Sequence, residues 1–436
     1  VQKKSWALLG LGLGLLGGCV GTRTGNPSTG NPSQPIGEVP FGAELARSEL
    51  TRAEDPTLSD EDRTAFGSDN RAFALSAYQT LSTEPGNLFF SPYSISTALA
   101  MTYAGAKGET ATEMASTLHY GLGQPNVHVA FNATDYALLE RKHQLSDEPS
   151  AGDGFELNVV NQAWGRKGYQ FLDSYLDVLA RNYGAGLFLL DFEPPEPARM
   201  LINDWVEKQT RSRVKDLLPQ GSLSGSTALV LTNAIYFKAS WLTHFEPGAT
   251  QMAPFHAGSG DRDVPTMHAK LTARYAQRDG YEMVELPYLS RNVVMLLVLP
   301  PAGKPTQLDA ERFDALRAEL SGYLVTLSLP KWSFESERML KAPLRTLGMR
   351  RAFESGAADF SGMDGMPSRL FIDEVYHKAF VAVDEQGTEA AAATAVVLRE
   401  KSEPEQVEVA FDRPFVFAVY DEPTGQILFL GQLAEP

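Results

Sequence analysis

The 436-residue chain carries 54 acidic against 38 basic side chains, a formal charge of −16, which argues against nucleic acid as a general partner and against attraction to anionic membrane surfaces. Its 43% hydrophobic and 10% aromatic content is that of a globular protein with a sizeable core. The one cysteine, Cys19, excludes an intramolecular disulfide and a cysteine-based metal cluster.

At the N-terminus, Lys3 and Lys4 precede an apolar run over 6–16 that is too short to span a bilayer as a helix. A basic region, an apolar region and small residues in that order read as a secretory signal. Leu16-Gly17-Gly18-Cys19 resembles a bacterial lipobox, so 1–19 is expected to be a signal peptide with lipobox, and Cys19 the lipidated residue. The protein is then expected outside the cytoplasm, held to the bacterial cell envelope at the outer membrane by that lipid alone. An ordinary signal peptide is the alternative. Gly12, Gly14 and Gly17 fit a GxGxxG pattern, but with no preceding strand they do not form a phosphate loop. Residues 20–65, rich in Pro, Gly, Ser and Thr and without apolar period, read as a flexible tether.

A single folded domain is expected over 66–436. Phe66, Phe73, Ala77, Tyr78 and Leu81 share a helical face, and Glu84-Pro-Gly-Asn87 ends that helix. Leu88, Phe89 and Phe90 read as a short buried strand. Ser91 then caps a helix with Pro92 at its first position, and Ile95, Ala98, Leu99 and Thr102 lie on one face. A short helix over 112–118, a strand over 155–164 and helices over 171–182 and 202–210 follow. The runs 229–237 and 293–299 are almost continuously apolar, as in strands covered on both faces. Residues 324–329 alternate, and 415–420 with 426–430 form a hairpin. Helices crowd the first third and strands the last, without a regular βαβ rhythm. That argues for an α+β domain with predominantly antiparallel sheets.

No GxSxG elbow, HExxH or Walker-type loop occurs, and the seven histidines are scattered. An enzyme, a metal site and a cofactor are therefore not expected. A secreted hydrolase remains the simplest competing class for an acidic α+β chain.

Several segments in order resemble the serpin family of protease inhibitors. They are Asn87-Leu-Phe-Phe-Ser-Pro-Tyr-Ser-Ile-Ser96 with Gly105-Ala-Lys-Gly-Glu-Thr110, then Asn233-Ala-Ile-Tyr-Phe-Lys-Ala-Ser-Trp241 with Phe245. Leu329-Pro-Lys-Trp332, Leu347-Gly-Met349, Ala358-Asp-Phe-Ser-Gly362, Val375-Tyr-His-Lys-Ala379, Asp412-Arg-Pro-Phe-Val-Phe417 and Phe429-Leu-Gly431 follow. The resemblance implies three mainly antiparallel sheets, about nine helices and an exposed reactive-centre loop. It implies a monomeric suicide inhibitor: a serine protease attacks the loop, and the cleaved loop inserts into the main sheet and traps the acyl-enzyme. A non-inhibitory binding or structural protein of the same fold is the alternative. Ser91, Ser94, Asn233 and His377 match positions that hydrogen-bond beneath the main sheet where its strands part, and Trp241 matches the sheet's upper opening. His377 is read as a satisfied core histidine.

The loop itself allows insertion. Glu385, Gly387, Thr388, Glu389, Ala390, Ala391, Ala392 and Ala393 form the expected hinge, with Gly387 supplying backbone freedom. One parity of a strand gives Thr388, Ala390, Ala392, Thr394, Val396 and Leu398, none of them charged, while Glu389 and Arg399 fall on the solvent parity. A charge on the first parity would cost several kcal/mol once buried. The family's spacing from Gly387 places the reactive bond between Lys401 and Ser402, with Arg399 and Glu400 as the competing bond. An extended 388–401 reaches ~45 Å, comparable to a domain diameter. Lysine at the cleaved position suits a pocket with an aspartate at its base, so the expected partner is a trypsin-like serine protease.

Overall fold

The computed structural model describes residues 39–146, 155–388 and 405–436. Among them are nine α-helices and sixteen strands in two hydrogen-bonded networks, of seven and nine strands. Three of the strand pairings are parallel and the others antiparallel. This is the expected α+β architecture.

The expected three sheets are joined into two networks by one long strand, Gly260–Arg278. Its first part pairs with Gln251–Ala257, its middle with Ser321–Pro330, and residues 274–278 with Tyr281–Pro287. The chain passes from one sheet to the next without a break, so hydrogen bonding does not separate them.

The main sheet runs in the order Glu44–Ala46, Leu187–Leu190, Phe155–Arg166, Leu229–Ser240, Gly387–Thr388, Val375–Asp384 and Trp332–Met339. Leu229–Ser240 is the central strand and is buried along almost its whole length. Helix Pro92–Tyr103 packs beside it and is buried at every residue, which explains its lack of a polar face. Ser91 starts this helix by accepting a hydrogen bond from Ser94 N at 3.1 Å, the cap read from Ser91-Pro92. Next to it, Phe89 stacks on Phe417 and Phe429 at ring-centroid distances of 5.7 and 5.0 Å.

Three sequence expectations shift. The first helix is Asp60–Leu81, not 66–81, because Ser59 caps it and accepts from Asp62 N at 3.0 Å, with Asp60, Glu61 and Asp62 in the first turn. The segment before it, assigned to a tether over 20–65, is built into the domain from 39 onward and adds Glu44–Ala46 to the main sheet. Its short apolar pieces carry no period because each packs on a different neighbour. Helix Pro195–Gln209 likewise starts earlier than 202, with proline at its first position. Helix Asn126–Ser146 had no sequence expectation at all.

Candidate functional site

The main sheet parts between its central strand and Val375–Asp384. In the lower half the two pair directly and in parallel, from Val375 opposite Leu231 to Ala379 opposite Ile235. At the top, Gly387–Thr388 lies between them, antiparallel to both: Thr388 sits opposite Ala239 on one side and Val383 on the other. Residues 380–382 and 236–238 have no pairing with each other. The hinge has therefore entered the sheet by two residues, and the slot for more lies directly beneath.

Backbone geometry admits only glycine at the entry point. Gly387 has φ +151°, and a Cβ there would stand 2.1 Å from the Ala239 carbonyl oxygen and 2.8 Å from Ser240 Cα. Thr388 is 2% exposed, and its hydroxyl shares a 2.7 Å hydrogen bond with the Tyr288 hydroxyl. Tyr288 in turn stacks on Trp241 at 4.6 Å, nearly parallel. Trp241 clamps the turn that leads into the hinge. Its Nε1 donates to Asp384 O at 3.0 Å and its backbone N–H to Gln386 O at 2.9 Å, while Phe245 N donates to Glu385 O at 2.9 Å.

Glu385 is 8% exposed and held by two donors, Lys331 Nζ on Oε2 and Thr250 Oγ1 on Oε1, both at 2.7 Å. Burial pushes its carboxyl up, but these hydrogen bonds and the lysine charge outweigh it, so its pKa lies below the ordinary value and the ion pair is maintained.

Below the slot lies a closed polar network. Ser91 N donates to His377 Nε2 at 3.1 Å. Nε2 is therefore the unprotonated nitrogen, and Nδ1–H donates to Asn233 Oδ1. Asn233 Nδ2 donates to Ser94 Oγ and Asn161 Oδ1, Ser94 Oγ to Asn161 Oδ1 at 3.1 Å, and Ser91 Oγ to Leu428 O at 2.7 Å. Both ring nitrogens of His377 are satisfied in the neutral form and the residue is fully buried. Burial, aided by the Arg338 charge, lowers its pKa to about 3. The unfolded histidine binds a proton near pH 6.5, so the contribution is complete at neutral pH and is lost as pH falls from 6.5 towards 3. At pH 5 the loss is about 2 kcal/mol. His377→Gln can keep both hydrogen bonds without titrating. Its stability in urea should therefore change less between pH 7 and pH 5 than that of the wild type, and an equal slope would remove His377 from the titration.

Thus the structure brings Glu385, Gly387, Thr388 and Trp241 together at the top of the slot, and Ser91, Ser94, Asn233 and His377 below it. Glu389, Ala390, Ala391, Ala392, Ala393, Arg399, Glu400, Lys401, Ser402 and Cys19 lie outside the described residues. Tyr288, Asn161, Lys331 and Thr250 were not singled out from the sequence. Each belongs to the site through a contact between distant chain segments, and of the four only Asn161 and Lys331 lay inside segments already noted. Among the described residues, no cluster of His, Cys, Asp or Glu is placed to hold a metal ion.

Residues 68–436 match the family profile described as "Serpin (serine protease inhibitor)". The chain belongs to the serpin family. Among its curated relatives is a serpin-like protein of Thermococcus kodakarensis described as uncharacterized. It is 39% identical over 374 residues, covering 84% of each chain. Human leukocyte elastase inhibitor is 35% identical over 386 residues, covering 85% of this chain and 99% of that one. Of solved structures, the thermophilic serpin tengpin in its native state superposes with a TM-score of 0.77 at 24% identity, covering 90% of this chain and all of tengpin, which speaks for the fold. A Tenebrio molitor serpin, Serpin48, gives 0.71 at 29% identity, covering 87% of this chain and 100% of that one. As a serpin, the protein is a protease inhibitor by family.

Proposed function

We propose that this serpin is a suicide inhibitor of trypsin-like serine proteases, with Lys401–Ser402 as its reactive bond. The single observation that carries the inhibitory reading is the position of the hinge. Gly387 and Thr388 already occupy the gap as a strand, and Thr388 projects into the core. Cleavage frees the far end of 388–401. Extending that strand pairs backbone groups of 236–238 and 380–382 and buries small uncharged side chains at alternate positions. The ester-linked protease is carried ~45 Å away from its point of attack. On this reading Trp241, Tyr288 and the Lys331–Glu385 pair hold the turn that guides the strand, and Ser91, Ser94, Asn233 and His377 tie the strands that must separate.

The test is incubation with trypsin followed by denaturing gel electrophoresis. A covalent complex of the two chains is the expected product. Cleaved serpin alone, with trypsin fully active, would instead favour a non-inhibitory binding protein. The name leukocyte elastase inhibitor among the relatives supports a second reading, in which an elastase-type pocket takes a small apolar residue such as Val397. That cut would shorten the inserted strand by ~13 Å. Running elastase beside trypsin separates the two specificities.

The Leu16-Gly17-Gly18-Cys19 motif supports attachment to a bacterial envelope through a lipid on Cys19. Radiolabelled palmitate should enter the wild type and be absent from Cys19→Ala. Equal labelling would remove the anchor from the reading.

A further inference from the structure

The segment ahead of residue 68 lies outside the family match, yet it is fastened to the domain by specific chemistry. Glu44–Ala46 adds an antiparallel strand to Leu187–Leu190, with Glu44 opposite Leu189 and Ala46 opposite Leu187. Leu187-Phe-Leu-Leu190 is buried at all four positions. Uncovered, it would be the outer edge of the main sheet, an apolar strand with a free row of backbone donors and acceptors. The approach is close: a Cβ on Gly186 would stand 2.7 Å from the Ala46 carbonyl oxygen and 3.0 Å from Arg47 Cβ.

Beyond the strand, Arg52 enters a socket. Its Nε donates to Asn132 Oδ1 at 2.6 Å and its Nη2 to Asp135 Oδ2 at 2.8 Å. The guanidinium also lies over the Tyr136 ring, 5.1 Å from its centroid. The second carboxylate oxygen of Asp135 accepts from the Tyr93 hydroxyl at 2.6 Å, so the socket is preset on helices Pro92–Tyr103 and Asn126–Ser146. The Arg52 side chain is 9% exposed. The chain on either side is pinned by the Ser48 hydroxyl on Asp177 Oδ1 (2.5 Å) and, through the backbone, by Ala53 N on Arg181 O (2.9 Å) and Asn132 Nδ2 on Ala53 O (2.9 Å). Two acceptors at fork spacing beside an aromatic face specify a guanidinium over an ammonium.

We propose that this sheet edge and the Asp135 socket form a binding site for an extended segment bearing an arginine. The chain's own residues 44–53 fill it in cis and so shield the edge from strand addition by a second copy of the chain. The strand it pairs with, Leu187–Leu190, is separated from the parting in the main sheet by Phe155–Arg166 and Leu229–Ser240. The segment caps an edge and does not latch the slot. Its release is therefore separate from the inhibitory reading and should leave hinge pairing intact.

The test uses the full chain, Arg52→Ala, and a fluorescent peptide of residues 41–55. In Arg52→Ala, amides of Leu187–Leu190 should exchange with deuterium at least tenfold faster. The peptide should bind Arg52→Ala at least tenfold tighter than the filled wild type, while the same peptide carrying Arg52→Ala should not bind. Concentrating the variant should yield dimers and larger species, and dimers that have exchanged their 44–53 segments also support the site. Unchanged exchange at 187–190, or equal peptide binding to variant and wild type, overturns the proposal. Should Arg52→Ala fail to fold, Arg52→Lys keeps the charge and stem without the fork. Wild-type exchange rates in that variant, with no peptide binding, overturn the proposal equally.

Discussion

Replacing Thr388 by arginine should turn the inhibitor into a substrate. Thr388 is almost wholly buried, with its hydroxyl on Tyr288 and the Tyr288 ring against Trp241. A guanidinium placed there, against the Tyr288 ring system, must either be buried or pull the hinge out of the sheet. The cost of several kcal/mol falls on insertion and leaves loop cleavage untouched. Trapping and release of the acyl-enzyme compete, and about 1.4 kcal/mol on one barrier shifts their ratio tenfold. The number of serpin molecules consumed per trypsin inhibited should therefore rise by at least tenfold, with cleaved serpin replacing the complex on a denaturing gel. Thr388→Ser, which keeps the hydroxyl on Tyr288, should remain close to wild type. An unaltered stoichiometry for the arginine variant would refute insertion through this slot.

The second large effect concerns recognition of the protease. With Lys401 as the specificity residue, Lys401→Ala leaves the aspartate in a trypsin-like pocket without its cation, a loss of 2–5 kcal/mol for a buried charge pair. The rate constant for trypsin inhibition should fall by about two to three orders of magnitude, while Arg399→Ala should change it little. Mass spectrometry of the released C-terminal fragment should find Ser402 as its first residue. The opposite pattern, a loss with Arg399→Ala and a fragment starting at Glu400, moves specificity to Arg399 and shortens the inserted strand by two residues.

How much of this could be read in the sequence depends on the range of the interaction involved. The Ser91 cap, the buried run 229–237 and the final hairpin were legible because each follows from neighbours a few residues apart. The parity of the hinge was legible for the same reason, since alternation in a strand is a local property. Tyr288 was not. Its place under Thr388 depends on residues 239 and 241 meeting two segments far apart in the chain. Neither was the role of Arg52, one cation among 38. Nothing around it in the sequence distinguishes a guanidinium that finds Asp135 from one that faces water. The assignment of 39–65 to a tether failed on the same ground: three strand residues and one arginine make no periodic pattern, yet the domain supplies an edge and a socket for them.

By itself, the sequence determined that this is an acidic α+β serpin domain without catalytic motifs, whose hinge carries a glycine followed by small uncharged residues at every alternate position. Those properties rest on composition, order and short-range stereochemistry. Only the tertiary structure decided that the hinge already lies two residues deep between parted strands, which partners hold the two nitrogens of His377, and that the N-terminal segment closes the outer edge of the sheet. Each of these depends on which distant strands end up side by side. Long-range packing sets that arrangement, and burial then fixes protonation and hydrogen bonding.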